Sequence, residues 1–442
     1  MDPVVPLIIP RSEHSISRKD IDREALKVMY RLRDEGFSAY LVGGAVRDLY
    51  LGKKPKDFDI STSAHPNQVR KIFRNSRIIG KRFRLVQVFY SGGKIVEVST
   101  LRCQSEFDDQ DEDAVLAHNN TFGSEEEDAF RRDLTINALF YEIENFSIID
   151  YTGGVADLNN RIVRIVGDPD RRIIRDPVRM MRAVRHAARS GFTIEESSWQ
   201  AIVRNMETLR LCPDSRVRDE LFKDLYSGAS RPWAELAMEC GLFFMLFPFY
   251  EGMIAGPGEL QTEAGRFLLA LFGVMDRLQT GGTPLPEALV LAILLLPWAQ
   301  ASCNLLVQTP KGHEAFVMSR ELRDRLDDLL HHLNVKRASR ETIVTLLVNL
   351  PAIRRHGVTG SGWPAWMKRK SYFSAGLLFH QICQEAEGGK ANAEVVAPVV
   401  FPEQDEEIAD LGRPRRKKRS APRRGSRAPA ISTRKGGIFG LK

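Results

Sequence analysis

The sequence predicts an α+β protein, with a small mixed β-sheet near the N-terminus followed by an all-α remainder. Two observations predict it. Short runs rich in β-formers (SAYLVGG, DFDIST, RLVQVFY and IVEVST) crowd residues 38 to 100, and after Asp128 apolar residues recur at helical spacing almost without a break. The 442 residues are 43% hydrophobic, enough for about three domains with cores of their own. We expect a first domain over residues 1–150, a helical neck over 151–230, an all-α body over 231–395 and a tail over 396–442.

Residues 20–36 (DIDREALKVMYRLRDEG) read as a helix, apolar at Ile21, Leu26, Val28, Met29 and Leu32, with Gly36 as its stop. Strands follow, and Ser91-Gly92-Gly93-Lys94 joins the last two as a hairpin, which gives a sheet of about four or five strands. Residues 104–128 are acidic and aperiodic and read as an exposed loop. Beyond them the one strand-like piece is FSIIDY, followed by the turn TGG. The most apolar run, ALVLAILLLPWA (288–299), is interrupted by Pro297 and shorter than a bilayer requires, so it predicts a buried helix.

Composition removes several function classes. Five cysteines lie far apart without a CxxC pair, which argues against a zinc cluster or a disulfide scaffold and fits a reducing cytoplasm. The N-terminus lacks a basic stretch before an apolar core and reads as carrying no secretion signal. The net charge of +7 is local, because residues 411–442 hold twelve Lys/Arg and no acid, leaving 52 basic against 57 acidic residues elsewhere. That Pro/Arg-rich stretch is too charged to fold alone and is expected to be disordered.

Chemistry concentrates in a few motifs. In DFDI, strand alternation sends Asp57 and Asp59 to one face and Phe58 and Ile60 to the other. Paired carboxylates repel unless a cation intervenes, and hard oxygen ligands suit Mg²⁺; an isolated D-x-D is otherwise a solvated strand end. Glu97 alternates against Val96 and Val98 and could add a third acid from a nearby strand. Gly43 and Gly44 follow a strand and precede a short helix, a place where backbone N–H groups can approach phosphate, with Arg47 one turn on; a lone GG is otherwise just a turn. In RDPVRMMRAVRHAARSGF, Asp176 reads as an N-cap and Arg179, Arg182, Arg185 and Arg189 share one helix face opposite Met180, Met181, Val184 and Ala188. That stripe suits a polyanion or, more plainly, solvent. A second helix is expected over RRDLTINALFY, with Asp133 and Asn137 on one face and Arg131 and Arg132 beside them.

Taken together, LVGGAVRDLYLG, DFD, EVSTLR, RRDLTINALFY, DYTGGVADL, RDPVRMMRAVRHAA and SRVRDELFK resemble the ordered motifs of the class II nucleotidyltransferases, the bacterial poly(A) polymerases and CCA-adding enzymes. The segment IIGKRFRLVQVFY, the opening RSEHSISRKDIDREALKVMYRL and the basic tail are similar to the poly(A) polymerase branch. The resemblance implies a nucleotidyltransferase head, neck and body. It also implies a two-metal addition of AMP from ATP to RNA 3′ ends without a template, releasing pyrophosphate; the alternative is a tRNA nucleotidyltransferase adding C, A or CCA. By position, Asp57 and Asp59 would bind two Mg²⁺ ions with Glu97 as third acid. Gly43, Gly44 and Arg47 would serve the triphosphate, Arg132, Asp133 and Asn137 the ribose and its phosphates. Asp176 and Arg179 would read the base, with Arg182 and Arg185 nearby, and Arg216, Glu220 and Lys223 would support the neck. Arg175 stands where the family usually has Glu, which changes the surroundings of the base-reading pair. RNA would be gathered by Arg415, Arg416, Lys417, Lys418, Arg419, Arg423 and Arg424. Lys336, Arg337, Arg340, Arg354, Arg355, Lys368, Arg369 and Lys370, interleaved with Trp363, Trp366, Tyr372 and Phe373, offer a second RNA surface or ordinary core edges. A cytoplasmic monomer with no membrane contact is expected, with RNA-degradation or RNA-chaperone proteins as candidate partners.

Overall fold

In the computed structural model, which describes residues 4–80, 84–103, 122–254, 262–303, 305, 311–358 and 363–388, strand β1 (Leu7–Ile9) leads into helix α1 (Arg23–Asp34). Asp22 fixes the start of α1, its carboxylate accepting from the N–H groups of Glu24 (2.9 Å) and Ala25 (3.2 Å). Then come β2 (Ala39–Val42), α2 (Gly44–Tyr50), β3 (Asp59–Thr62), α3 (Pro66–Ile72), β4 (Ser76–Ile79), β5 (Leu85–Phe89) and β6 (Ile95–Thr100), the last two joined by the expected hairpin turn. Helix α4 (Glu125–Arg131), β7 (Leu139–Glu142), β8 (Ile148–Asp150), α5 (Gly154–Asn160), β9 (Ile162–Val163), α6 (Pro169–Arg175), α7 (Val178–Ser190) and β10 (Thr193–Ile194) complete the part that carries strands.

The main sheet has the order β1-β8-β7-β2-β3-β6-β5-β4 and is antiparallel except where β3 runs parallel to β6. It is mixed, as expected, but its eight strands exceed the four or five read from the pattern, and β9 and β10 form a further parallel pair. The helix expected over RRDLTINALFY does not form. Leu139, Phe140 and Tyr141 are fully buried in β7 between β2 and β8, and a run that is apolar on both faces satisfies a helical and an extended period equally. The acidic stretch is also shorter than expected, because Ser124 and Glu127 build a reciprocal cap that starts α4; residues 104–121 lie outside the described residues.

One face of the sheet packs under α1 and α3, with Ile60, Val96 and Val98 buried there. On the other face Ala129 of α4 closes against Val42, Leu101 and Phe140, and beside that cluster the face stays polar. The rest is helical: α8 (Glu196–Asn205), α9 (Asp214–Leu225), α10 (Ser230–Glu239), α11 (Leu242–Leu246), α12 (Glu263–Thr280), α13 (Glu287–Cys303), α14 (His313–Leu329), α15 (Arg337–Val358), α16 (Ala365–Lys368) and α17 (Phe373–Ala386). Helix α7 packs on α9 and α10, and α10 leads through α12 to the α13–α15–α17 stack. As expected, α13 is buried all round from Ala288 to Ala299, Pro297 included, and Tyr250 Oη donates to the Leu294 carbonyl in that stretch (2.5 Å).

Candidate active site

The parallel pairing of β3 with β6 sets Ile60 opposite Val98 and Ser61 opposite Ser99, so Asp59 and Glu97 come level on the polar face. Asp57 lies just before the strand rather than in it. Behind the acids, Ser61 and Ser99 hydrogen-bond each other at 3.1 Å, and Gln87 donates to Glu97 at 2.9 Å. Asp59 keeps an exposed face, yet crowding by the surrounding chain, then the charges of Glu97 and Asp57, push its carboxyl up to about 6 against the pull of Arg132. Three mutually repelling acids facing one arginine form a deficit of positive charge, which is what a divalent cation supplies. Among the described residues no three His, Cys, Asp or Glu side chains converge closely enough to cage a metal. Asp57 and Asp59 keep exposed carboxylates, the hard oxygen donors that a cation such as Mg²⁺ accepts when water and substrate phosphate complete its shell.

Opposite the acids, Arg132 to Asn137 form an extended bend and a single 3₁₀ turn. This conformation still joins the pair predicted to share a helix face, with Asn137 Nδ2 at 3.5 Å from Asp133 Oδ1. The buttress is the segment DYTGGVADL. The Asp150 carboxylate accepts from the N–H groups of Thr152, Gly154 and Val155, the Gly154 Cα sits so close that a Cβ would lie 2.2 Å from the Thr135 carbonyl oxygen, and Thr135 Oγ1 donates to Asp157 at 2.6 Å. Arg132 reaches Ser61 Oγ (3.3 Å) and Asp128 (2.9 Å). Gly43 turns at φ 66°, where a Cβ would crowd Arg132 Nη1 at 3.3 Å. Arg47 is buried and donates to Asn137 Oδ1 (2.6 Å) and Asp48 (2.8 Å).

The arginine face of α7 divides instead of facing one anion. Arg182 touches Asp133 (3.4 Å) and Glu220 of α9 (3.2 Å). Arg185 is buried in contact with Glu220 (2.5 Å) and Asp224 (2.7 Å), acidic partners that the repeating arginines did not reveal, and burial pushes the Asp224 carboxyl up to about 8 against the pull of Arg185. Arg179 Nη1 donates to the Arg132 carbonyl (3.2 Å), beside Arg172 of α6, which the motif reading passed over and which donates to the carbonyls of Arg131 and Arg132 at 2.7 Å each. Burial, then Arg179, pushes Arg172 down to about 9. Asp176 is not the N-cap of α7. It ends α6 and pairs with Arg216 at 3.0 Å, because Pro177 takes the cap position without a side-chain bond. Burial opposes charge on Asp133, but Arg182 and Arg179 hold it well below the usual carboxylate range.

Of the second RNA surface, Arg340 pairs with Asp327 and Arg354 with Glu387 (2.7 Å each), and Trp363 donates to the Ile353 carbonyl (3.3 Å) and packs on Phe373. Trp366 is 56% exposed and is followed by exposed Lys368, Arg369 and Lys370. Arg415 to Arg424 of the tail lie outside the described residues. No described helix is long and apolar enough to cross a membrane.

Acids on adjoining parallel strands, a glycine turn and a buttressed basic bend define a nucleotidyltransferase. Residues 39–164 match the family model described as the Poly A polymerase head domain, and residues 191–253 the one described as the probable RNA and SrmB-binding site of polymerase A. Poly(A) polymerase I of Escherichia coli O157:H7 is 37% identical over 436 residues, covering 94% of this chain and 93% of that protein. The chain belongs to the poly(A) polymerase family. The CCA-adding enzyme of Lactobacillus helveticus is 42% identical over 46% of this chain and 50% of that protein. The crystal structure of the Bacillus stearothermophilus CCA-adding enzyme in complex with CTP superposes with a TM-score of 0.61 at 28% identity, covering 84% of this chain and 79% of that one.

Proposed function

We propose that the protein extends RNA 3′ ends with AMP from ATP, without a template, and releases pyrophosphate. The observation that carries the choice is extent: the poly(A) polymerase relative aligns over 94% of the chain, through head, neck and body, and the CCA-adding relative over 46%. The structural likeness to a CCA-adding enzyme in complex with CTP supports a second reading, completion of tRNA ends.

In the first reading Asp57 and Asp59, with Glu97 behind them, would hold two Mg²⁺ ions, which would supply the positive charge that stabilises the attacking and departing oxygens. Gly43, Gly44 and Arg47 face the triphosphate, where any side chain at Gly43 would narrow the approach. Asp133 and Asn137 present an acceptor and an amide to the ribose, with Arg132 toward the phosphates. Asp176 and Arg179 offer an acceptor and a donor set to the base edge, and Arg216 takes the orienting place opposite Asp176. Arg182 links this edge to the neck, and Arg185 stands one layer behind it as a strut. We assign residues 1–150 to the catalytic head, 151–230 to the neck and 231–395 to an RNA-binding body, where Trp366 and Lys368 to Lys370 can stack a base and hold phosphates. The basic tail would add phosphate contacts of no sequence preference.

Mg²⁺-dependent incorporation is measured with ATP or CTP on oligo(A) and on a tRNA lacking its end. ATP on oligo(A) as the preferred pair supports poly(A) addition; CTP incorporation confined to the tRNA replaces it with the second reading.

A further inference from the structure

His186 has no part in the roles above, yet it stands where α7 meets the head. Its Nδ1 lies 3.2 Å from Arg47 Nη1, and its Nε2 lies 3.4 Å from Asn137 Nδ2. Arg47 Nη1 also donates to Asn137 Oδ1 at 2.6 Å, so guanidinium, carboxamide and imidazole close a triangle. Two donors converge on a ring whose neutral form has one acceptor nitrogen. The closer contact is with Arg47, which selects the tautomer with Nδ1 bare. An imidazolium would offer the arginine no acceptor at all. Burial, then Arg47, push the ring down to about 3; Arg185 and Arg189 act in the same sense, Asp133 opposes them, and Asp48 pairs with the Arg47 guanidinium at 2.8 Å. His186 follows Arg182 by four residues, so one face of α7 addresses both Asp133 and Asn137, themselves four apart.

We propose that His186 is a positioning residue: as a hydrogen-bond acceptor it fixes the Arg47 guanidinium on the Asn137 carboxamide and so sets the direction in which the arginine meets the triphosphate. The inference rests on the reading of Arg47 as a triphosphate ligand. It ties the nucleotide pocket to the neck through the contact of α7 with Arg47 and Asn137.

The test is steady-state AMP incorporation by the full chain with Arg47→Ala, His186→Phe, His186→Asn and the double variant Arg47→Ala/His186→Phe, each with its melting temperature. His186→Phe keeps a planar ring without the acceptor, and His186→Asn returns a polar group near Nδ1. His186→Phe should raise KM for ATP about tenfold, the value of one lost hydrogen bond to a charged group, and change kcat far less. His186→Asn should recover most of that loss, and the double variant should be no worse than Arg47→Ala, because His186 acts through the arginine. An unchanged KM in His186→Phe beside a raised one in Arg47→Ala overturns the inference alone. So does a double variant whose losses multiply, or His186→Asn failing to recover KM while both His186 variants melt lower, the mark of mere filling. An unchanged KM in Arg47→Ala overturns the Arg47 reading and this inference together.

Discussion

Asp59 and Glu220 are carboxylates about a common centre, one on the sheet and one on the neck, and their surroundings drive them in opposite directions. Asp59 has Glu97 and Asp57 for neighbours and is pushed up to about 6. Glu220, despite burial that opposes its charge, is held down to about 2 by Arg182 and Arg185. The first cluster is short of positive charge and the second is matched within the fold. An unmatched cluster is a place for something that arrives, and a matched one is a joint.

The largest effect should come from breaking the unmatched side. Asp57→Ala or Asp59→Ala should lower ATP incorporation by about 10³-fold. Because ionised Asp59 is disfavoured in the fold, its removal should leave the metal-free melting temperature unchanged or higher; a sharp fall in melting would place Asp59 among the structural acids. Glu220→Ala should behave in the reverse way, costing up to about 3–5 kcal/mol in urea unfolding by leaving buried Arg185 with Asp224 as its remaining carboxyl partner. The pH dependence sharpens the contrast. Glu220 lies below its ordinary value of 4.5, so its contribution is present above that pH and lost as pH falls toward about 2, and Glu220→Gln should flatten that part of the stability curve.

Between the two clusters, Gly154→Ala should cost about 1–3 kcal/mol, since its Cβ would start 2.2 Å from the Thr135 oxygen. By shifting the bend that carries Asp133 and Asn137, it should also lower kcat at saturating Mg²⁺; full activity would show that the bend tolerates displacement. The smallest effect is expected at Trp366→Ala, about 1 kcal/mol in oligo(A) binding by fluorescence anisotropy with nucleotide chemistry intact. Equal affinity for wild type and variant would return Trp366 to the ordinary surface.

Asp59, Glu97 and the glycine turn were legible because local spacing sets their geometry: Asp59 precedes buried Ile60 and Glu97 lies between buried Val96 and Val98, whereas Asp57, expected on the same strand, lies just before it. Asp133 and Asn137 were paired for a reason that fails, a helix that does not form, and they meet because a bend buttressed by Gly154 brings them together. What stayed hidden depends on partners distant in sequence. Nothing around Arg185 announces Asp224, nothing around Arg172 announces the carbonyls of Arg131 and Arg132, and β7 hides its strand because both of its faces are buried. His186 was findable, four residues past Arg182, only by asking what the same face of α7 touches next.

Arg172 and Arg179 share the Arg132 carbonyl, two cations hung on one neutral acceptor. Asp133 and Asp176 offset part of the repulsion between them, and an anion bound beside them would offset more. On the proposed reading, a seated triphosphate, hydrolysable or not, should therefore raise the melting temperature.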